Sequence, residues 1–145
     1  MKMRYVWMMA VLLLQTACGG SPTDGGWLAS GTSWYMFLQI QNNAGDVDYA
    51  YTSNGQVLIR HGTILVNSDH TVTVGQMVDG ELKDCSACPF QISNGQLAIS
   101  YQYQSYTGSG PVSGQLTLSS ADISTYNNDV QTLRPRSVNK VRGGS

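Results

Sequence analysis

The chain has 145 residues, 41% of them hydrophobic and 12% charged, with a formal net charge of −1. That length holds one domain with a real core. The charge balance leaves no basic patch, which argues against nucleic acid as a partner and against charge-driven attachment to anionic lipid.

The first residues read as an address. Met1-Lys2-Met3-Arg4 is basic, Tyr5 to Leu14 is an unbroken apolar run, and Gln15-Thr16-Ala17-Cys18 follows. A charged start, an apolar stretch and a small residue before the cut make residues 1–17 a secretory signal peptide. The run is too short for a spanning helix, which needs about 20 residues. Leu14-Gln15-Thr16-Ala17-Cys18 resembles the lipobox of bacterial lipoproteins, with Gln15 where leucine is usual. The resemblance implies cleavage before Cys18, which would carry a diacylglyceryl thioether and an N-acyl group. Several acyl chains anchor lastingly where one does not. Gly19, in place of an aspartate after the cysteine, implies the periplasmic face of the outer membrane. Residues 18–26, rich in Gly and Ser, read as a flexible tether. Loss of residues 1–17 removes Lys2 and Arg4, which leaves six basic against nine acidic residues and a charge of −3.

From Trp27 onward, alternation and turn dipeptides predict strands. Trp34, Met36, Leu38 and Ile40 share one face, and Tyr35, Phe37, Gln39 and Gln41 the other, up to the cluster from Asn42 to Asp46. Val47, Tyr49 and Tyr51 alternate with Asp48, Ala50 and Thr52. Asn54-Gly55 predicts a hairpin, because both residues tolerate positive φ. Val57, Ile59 and His61 form the next strand, which Gly62 is expected to break. Thr63 to Asn67 and Thr71 to Val74 follow. Asp79-Gly80, flanked by Gln76-Met77-Val78 and Glu81-Leu82-Lys83, predicts a second hairpin of the same kind, and Asn94-Gly95 a third. Leu97, Ile99, Tyr101 and Tyr103 line one face of a long strand. Residues 107–114 form a Gly-rich loop, and Gln115 to Ser119 a last strand. Ala121 to Val130 is expected to hold at most a short helical turn.

About eight short strands joined by tight turns predict an all-β fold, an antiparallel meander closed into a small barrel over residues 27–135, with a β-sandwich as the alternative. Residues 136–145 read as a disordered tail. The layout resembles the lipocalin-like small barrels found among bacterial lipoproteins. Gly25-Gly26-Trp27 resembles the short G-x-W signature of that family, and Arg134 in Thr132-Leu133-Arg134 resembles the arginine that packs over the signature tryptophan.

Cys85-Ser86-Ala87-Cys88 admits three readings: a redox centre, a zinc knuckle or a local disulfide. A redox cysteine belongs at a helix N-terminus, and this motif lies between strands. A zinc site needs two more ligands, and His61 and His70 show no ligand spacing. In an oxidising compartment, with Cys18 used by lipid, Cys85 and Cys88 are expected to form a structural disulfide.

No catalytic constellation is legible: there is no G-x-S-x-G elbow, and neither histidine is placed for a triad. A non-enzyme without cofactor is therefore expected. The notable side chains are Tyr49, Tyr51, Tyr101, Tyr103 and Tyr106. The first four share parity with Val47, Leu97 and Ile99, so they are expected to face the barrel interior. With Gln102 and Gln104, they are the candidate ligand contacts. The expected function is an anchored periplasmic barrel that binds a small apolar ligand or lipid. The alternatives are an envelope assembly partner or a hydrolase inhibitor.

Overall fold

The computed structural model describes residues 21–105 and 107–133. The expected signal peptide, Cys18, Tyr106, Arg134 and the expected tail lie outside the described residues.

Eight strands form a closed antiparallel barrel in chain order: β1 (Gly25–Ser30), β2 (Trp34–Gln41), β3 (Ala44–Ser53), β4 (Gln56–Val66), β5 (Thr71–Gly75), β6 (Cys88–Ser93), β7 (Gln96–Gln104) and β8 (Pro111–Ser120). The barrel closes where Trp27 and Leu28 of β1 lie opposite Ser120 and Ser119 of β8. Closure removes the long free edges that an open meander would leave, and it rules out the sandwich. Three two-residue turns set the hairpin registers. Asn42 and Asn43 have φ of 54° and 64°, Asn54 and Gly55 of 52° and 77°, and Asn94 and Gly95 of 54° and 72°. Positive φ at both central residues gives the turn a twist that matches the flanking strands.

Leu38, Val47, Ile64, Leu97, Ile99 and Leu118 are 0% exposed inside the barrel. They pack against one another in a single buried cluster, so this level of the interior is core. Burying such a side chain contributes about 1.5–3 kcal/mol.

Five sequence expectations are corrected by the structure. The Gly-rich loop expected over residues 107–114 is shorter, because β8 already begins at Pro111 and pairs with β7 from there. Gly62 does not break a strand: β4 runs through it, and a Cβ there would meet Gly75 O at 2.7 Å and Met77 Cβ at 3.2 Å. The glycine is a site of close approach, which is a second use of the residue inside a strand. Asp79-Gly80 does not turn a hairpin. Residues 76–87 form one long connection laid over the barrel end, with Met77, Leu82 and Cys85 buried in the core. The apolar drive of those three side chains overrides the local turn signal.

The expected tether ends earlier than residue 26. β1 begins at Gly25, Thr23 is 2% exposed, and its carbonyl accepts from Trp27 Nε1 at 2.8 Å. The Asp24 carboxylate accepts from the backbone N–H groups of Ser21 at 3.1 Å and Asn42 at 3.0 Å. Gly26 serves packing rather than flexibility, since a Cβ on it would meet the Phe37 ring at 2.7 Å.

The segment after β8 is a full helix, α1 (Ile123–Leu133), and not a single turn. It packs outside the barrel on β2 and β3, where Phe37, Ala50, Tyr126 and Val130 form a second buried cluster. Tyr126 and Phe37 stack with ring centroids 5.6 Å apart. The Tyr126 hydroxyl is buried without a hydrogen-bond partner among the described residues. Burial, helped by the negative charge of Asp48, pushes its pKa up to about 12.

Two outcomes follow for Tyr126. Replacing Tyr126 by phenylalanine removes a buried, unsatisfied hydroxyl, which costs about 1–3 kcal/mol when left unpaired, and should raise the urea midpoint. A midpoint lowered by the change would contradict this. The folded-state pKa lies above the unfolded value of about 10. Its stabilising contribution is therefore complete below pH of about 10 and is lost as pH rises toward about 12. The phenylalanine variant should lose less stability across that window than the wild type, as pH-dependent urea unfolding would show.

A tyrosine recess as candidate functional site

One end of the barrel carries the residue 31–33 turn, the Asn54-Gly55 turn, the 76–87 connection and the residue 107–110 turn. The other end carries the Asn42-Asn43 and Asn94-Gly95 turns, the entry to β1 and the exit toward α1. The candidate tyrosines gather at the first end, where β3 and β7 terminate. Tyr49 is 9% exposed, and Tyr51 and Tyr101 pack partly buried against the same interior cluster. Parity with Val47, Leu97 and Ile99 thus places their side chains as the register argument requires.

The rings form two stacked pairs. Tyr49 and Tyr51 have centroids 4.9 Å apart, and Tyr101 and Tyr103 6.0 Å apart. Trp34 meets Tyr49 edge-on at 5.9 Å. A recess of 250 Å³ lies between them, lined by Tyr49, Tyr51, Tyr103, Asp79, Gly80 and Glu81. Gly80 is pressed onto Tyr49: with φ of 91°, a Cβ there would meet the ring at 2.9 Å. A side chain at this position would be both strained and obstructed.

The polar side of the recess comes from the connection. The Tyr51 hydroxyl donates to Asp79 Oδ2 at 2.6 Å, and Arg60 Nε donates to the same oxygen at 3.1 Å. The hydrogen bond to Asp79 and burial raise the Tyr51 pKa, with Arg60 opposing. Burial raises the Tyr101 pKa as well, with the Glu81 carboxylate adding to it. Glu81 Oε2 is buried and has no hydrogen-bond partner among the described residues. Lys83 Nζ lies 5.4 Å from the Tyr103 ring centroid and 3.2 Å from Asp84 Oδ2.

Cys85 and Cys88 are joined by a disulfide between the connection and the start of β6. Cys85 is 1% exposed, and its carbonyl accepts from Val74 N–H at 2.7 Å. The bridge pins the connection down onto the barrel instead of presenting a protruding loop.

Beside the bridge lies a wider groove of 1120 Å³ between the 83–89 segment and the outer parts of β7 and β8. Tyr101, Tyr103, Gln102 and Gln104 line it. Here β7 outruns β6, whose pairing stops at Phe90 opposite Ile99. Gln104 N–H donates instead to Asp84 Oδ2 at 3.1 Å. The sequence candidates therefore divide: Tyr49 and Tyr51 belong to the recess, Tyr101 to the groove, and Tyr103 to both.

Both histidines lie elsewhere. His61 pairs with Asp48 across β3 and β4, and His70 sits before β5, its ring 5.9 Å from that of Phe90. The sequence reading missed Arg60, Asp79, Gly80, Glu81 and Lys83 as site residues, because a hairpin reading of Asp79-Gly80 turned its flanks into ordinary strand. The unusual run of two acids and a glycine between the buried Met77 and Leu82 was the available signal.

Compared with known proteins, the chain matches no family model, no curated protein and no solved structure.

Proposed function

We propose that the protein is a lipid-anchored binding module of the bacterial envelope, without catalytic activity, held at the periplasmic face of the outer membrane through Cys18. The recess would be its ligand site. The observation that carries this reading is the open, aromatic and acidic recess at the barrel end opposite the described N-terminal residues. An anchor at Cys18 would leave that end facing away from the membrane. The polar wall and small volume favour a small polar ligand over the apolar ligand or lipid expected from the sequence, since apolar sites carry few polar groups.

Two measurements test the reading. Replacing Cys18 by serine should move the protein from the membrane to the soluble fraction. A wild-type N-terminus other than a lipid-bearing Cys18, read by intact mass, would overturn the anchor. Equilibrium dialysis against envelope small molecules should enrich a compound with the wild type and not with Tyr51→Leu. Enrichment by neither protein, or equally by both, would overturn the recess as the site.

A second reading, an envelope assembly partner, is favoured by the part of β7 that β6 leaves uncovered. Such an edge can pair with an extended segment of another protein. Gln102→Pro would block that pairing.

A further inference from the structure

We infer that the basic segment after α1, residues 136–142, docks on the outer face of β3 and β4 of its own barrel. Its cations meet Asp46 and Asp48, and its valines lie over Ile59 and Leu65. The inference goes beyond the reading of the recess and stands independently of it.

Parity builds the face. Val47 and Tyr49 of β3 and Gly62 and Ile64 of β4 are buried inside. Asp46, Asp48 and Ala50, with Ile59, His61, Thr63 and Leu65, therefore point outward. The helix α1 buries Ala50 and leaves the face of β4 open: Ile59 is 46% exposed and Leu65 52%. Between those two apolar residues the register sets Asp48 beside His61 and Asp46 beside Thr63. The face is thus an acidic patch flanked by two exposed aliphatic side chains.

The charge that complements it lies on the same chain. The described residues hold two basic against nine acidic residues, a charge of −7. Those two, Arg60 and Lys83, sit with Asp79 and Asp84 at the tyrosine end. Residues 134–145 hold Arg134, Arg136, Lys140 and Arg142 with no acid, and Val138 and Val141 lie among them.

The path is short. The end of α1 lies at the edge of this face: Leu133 packs on the same outer cluster as Val57 of β4, and Thr132 Oγ1 is 3.4 Å from the Tyr35 hydroxyl. Pro135 then disfavours a further helical turn, because it lacks an N–H and biases Arg134 toward extended backbone. From Ile59 to Leu65 the strand covers about 20 Å, a span that residues 136–142 match when extended. Tethering also gives the segment a high effective concentration at the face. A second copy is the poorer occupant, since its equivalent face would set acid against acid.

The test is ¹³C-methyl NMR of the mature protein, labelled at isoleucine and leucine, beside a chain that ends at Leu133. Deletion should shift the Ile59 and Leu65 methyls and leave those of Ile99 and Leu97, inside the barrel, in place. In the intact chain, raising NaCl from about 0.02 M to about 0.5 M should shift the same two methyls, because salt screens exposed charges. Asp46→Asn with Asp48→Asn should remove that salt response. Ile59 and Leu65 methyls unmoved by deletion, or a salt response equal at all methyls, would overturn the proposal. Shifts that grow with protein concentration would assign the face to a second copy and overturn it as well. The salt response of the intact chain holds whether or not the shortened chain folds.

Discussion

Replacing Phe37 by alanine is expected to cost about 3–5 kcal/mol. The side chain points outward from β2 and is nevertheless 1% exposed, because α1 covers it. Its ring stacks on Tyr126 at 5.6 Å and lies against Gly26. Removing it empties the joint between barrel and helix. The helix sequence ISTYNNDVQTL is rich in Ser, Thr, Asn and Asp, which favour caps and turns over helix interiors. A short helix of such composition owes its stability to docking. The variant should therefore lose helical circular dichroism before the barrel unfolds, and its urea midpoint should fall. A loss below about 1 kcal/mol would show that α1 contributes little through this joint.

The second large effect is expected at Leu82. It is 0% exposed and belongs to the connection that covers the tyrosine end. Leu82→Ala should cost about 2–5 kcal/mol, depending on how far the connection collapses into the space. Asp79, Gly80 and Glu81 precede it directly, so loosening Leu82 also deforms the recess. The amide of Val74, bonded to Cys85 O at 2.7 Å, reports the same event. Its hydrogen exchange should quicken in the variant, while amides between β2 and β3 stay protected. Unchanged exchange at Val74 would show that Leu82 does not hold the connection down.

The two variants also mark where the sequence was legible. Strict alternation along β2, β3 and β7 and the Asn-Gly turns carried strand identity and register, because a one-residue slip would expose a whole apolar face. The same parity placed Tyr49 and Tyr51 inward. Phe37 was harder to place. Its parity puts it outside, and only α1, with a stripe at Tyr126, Val130 and Leu133 among weak helix formers, explains its burial.

Gly62 and Gly80 were misread for a common reason. Their dipeptide context signals a break or a turn, whereas each is required by a close approach from a residue distant in sequence, Gly75 for Gly62 and Tyr49 for Gly80. The acidic wall of the recess followed that error. Once Asp79-Gly80 is taken as a hairpin, Glu81 becomes an ordinary strand residue. Its place in the recess lining depends on the apolar residues Met77, Leu82 and Cys85 folding the connection over the barrel, which is a long-range event that local pattern does not encode.

The proposed binding site is the tyrosine end of the barrel. The most direct measurement is ring-resolved NMR of the mature protein, with labelled tyrosine and tryptophan, titrated with the small-molecule fraction of the bacterial envelope. Saturable shifts are expected at Tyr49, Tyr51 and Tyr103, with Trp27 at the opposite end and Tyr126 under α1 unmoved. Shifts confined to Trp27 or Tyr126, or no saturable shift at the three recess tyrosines, would contradict it.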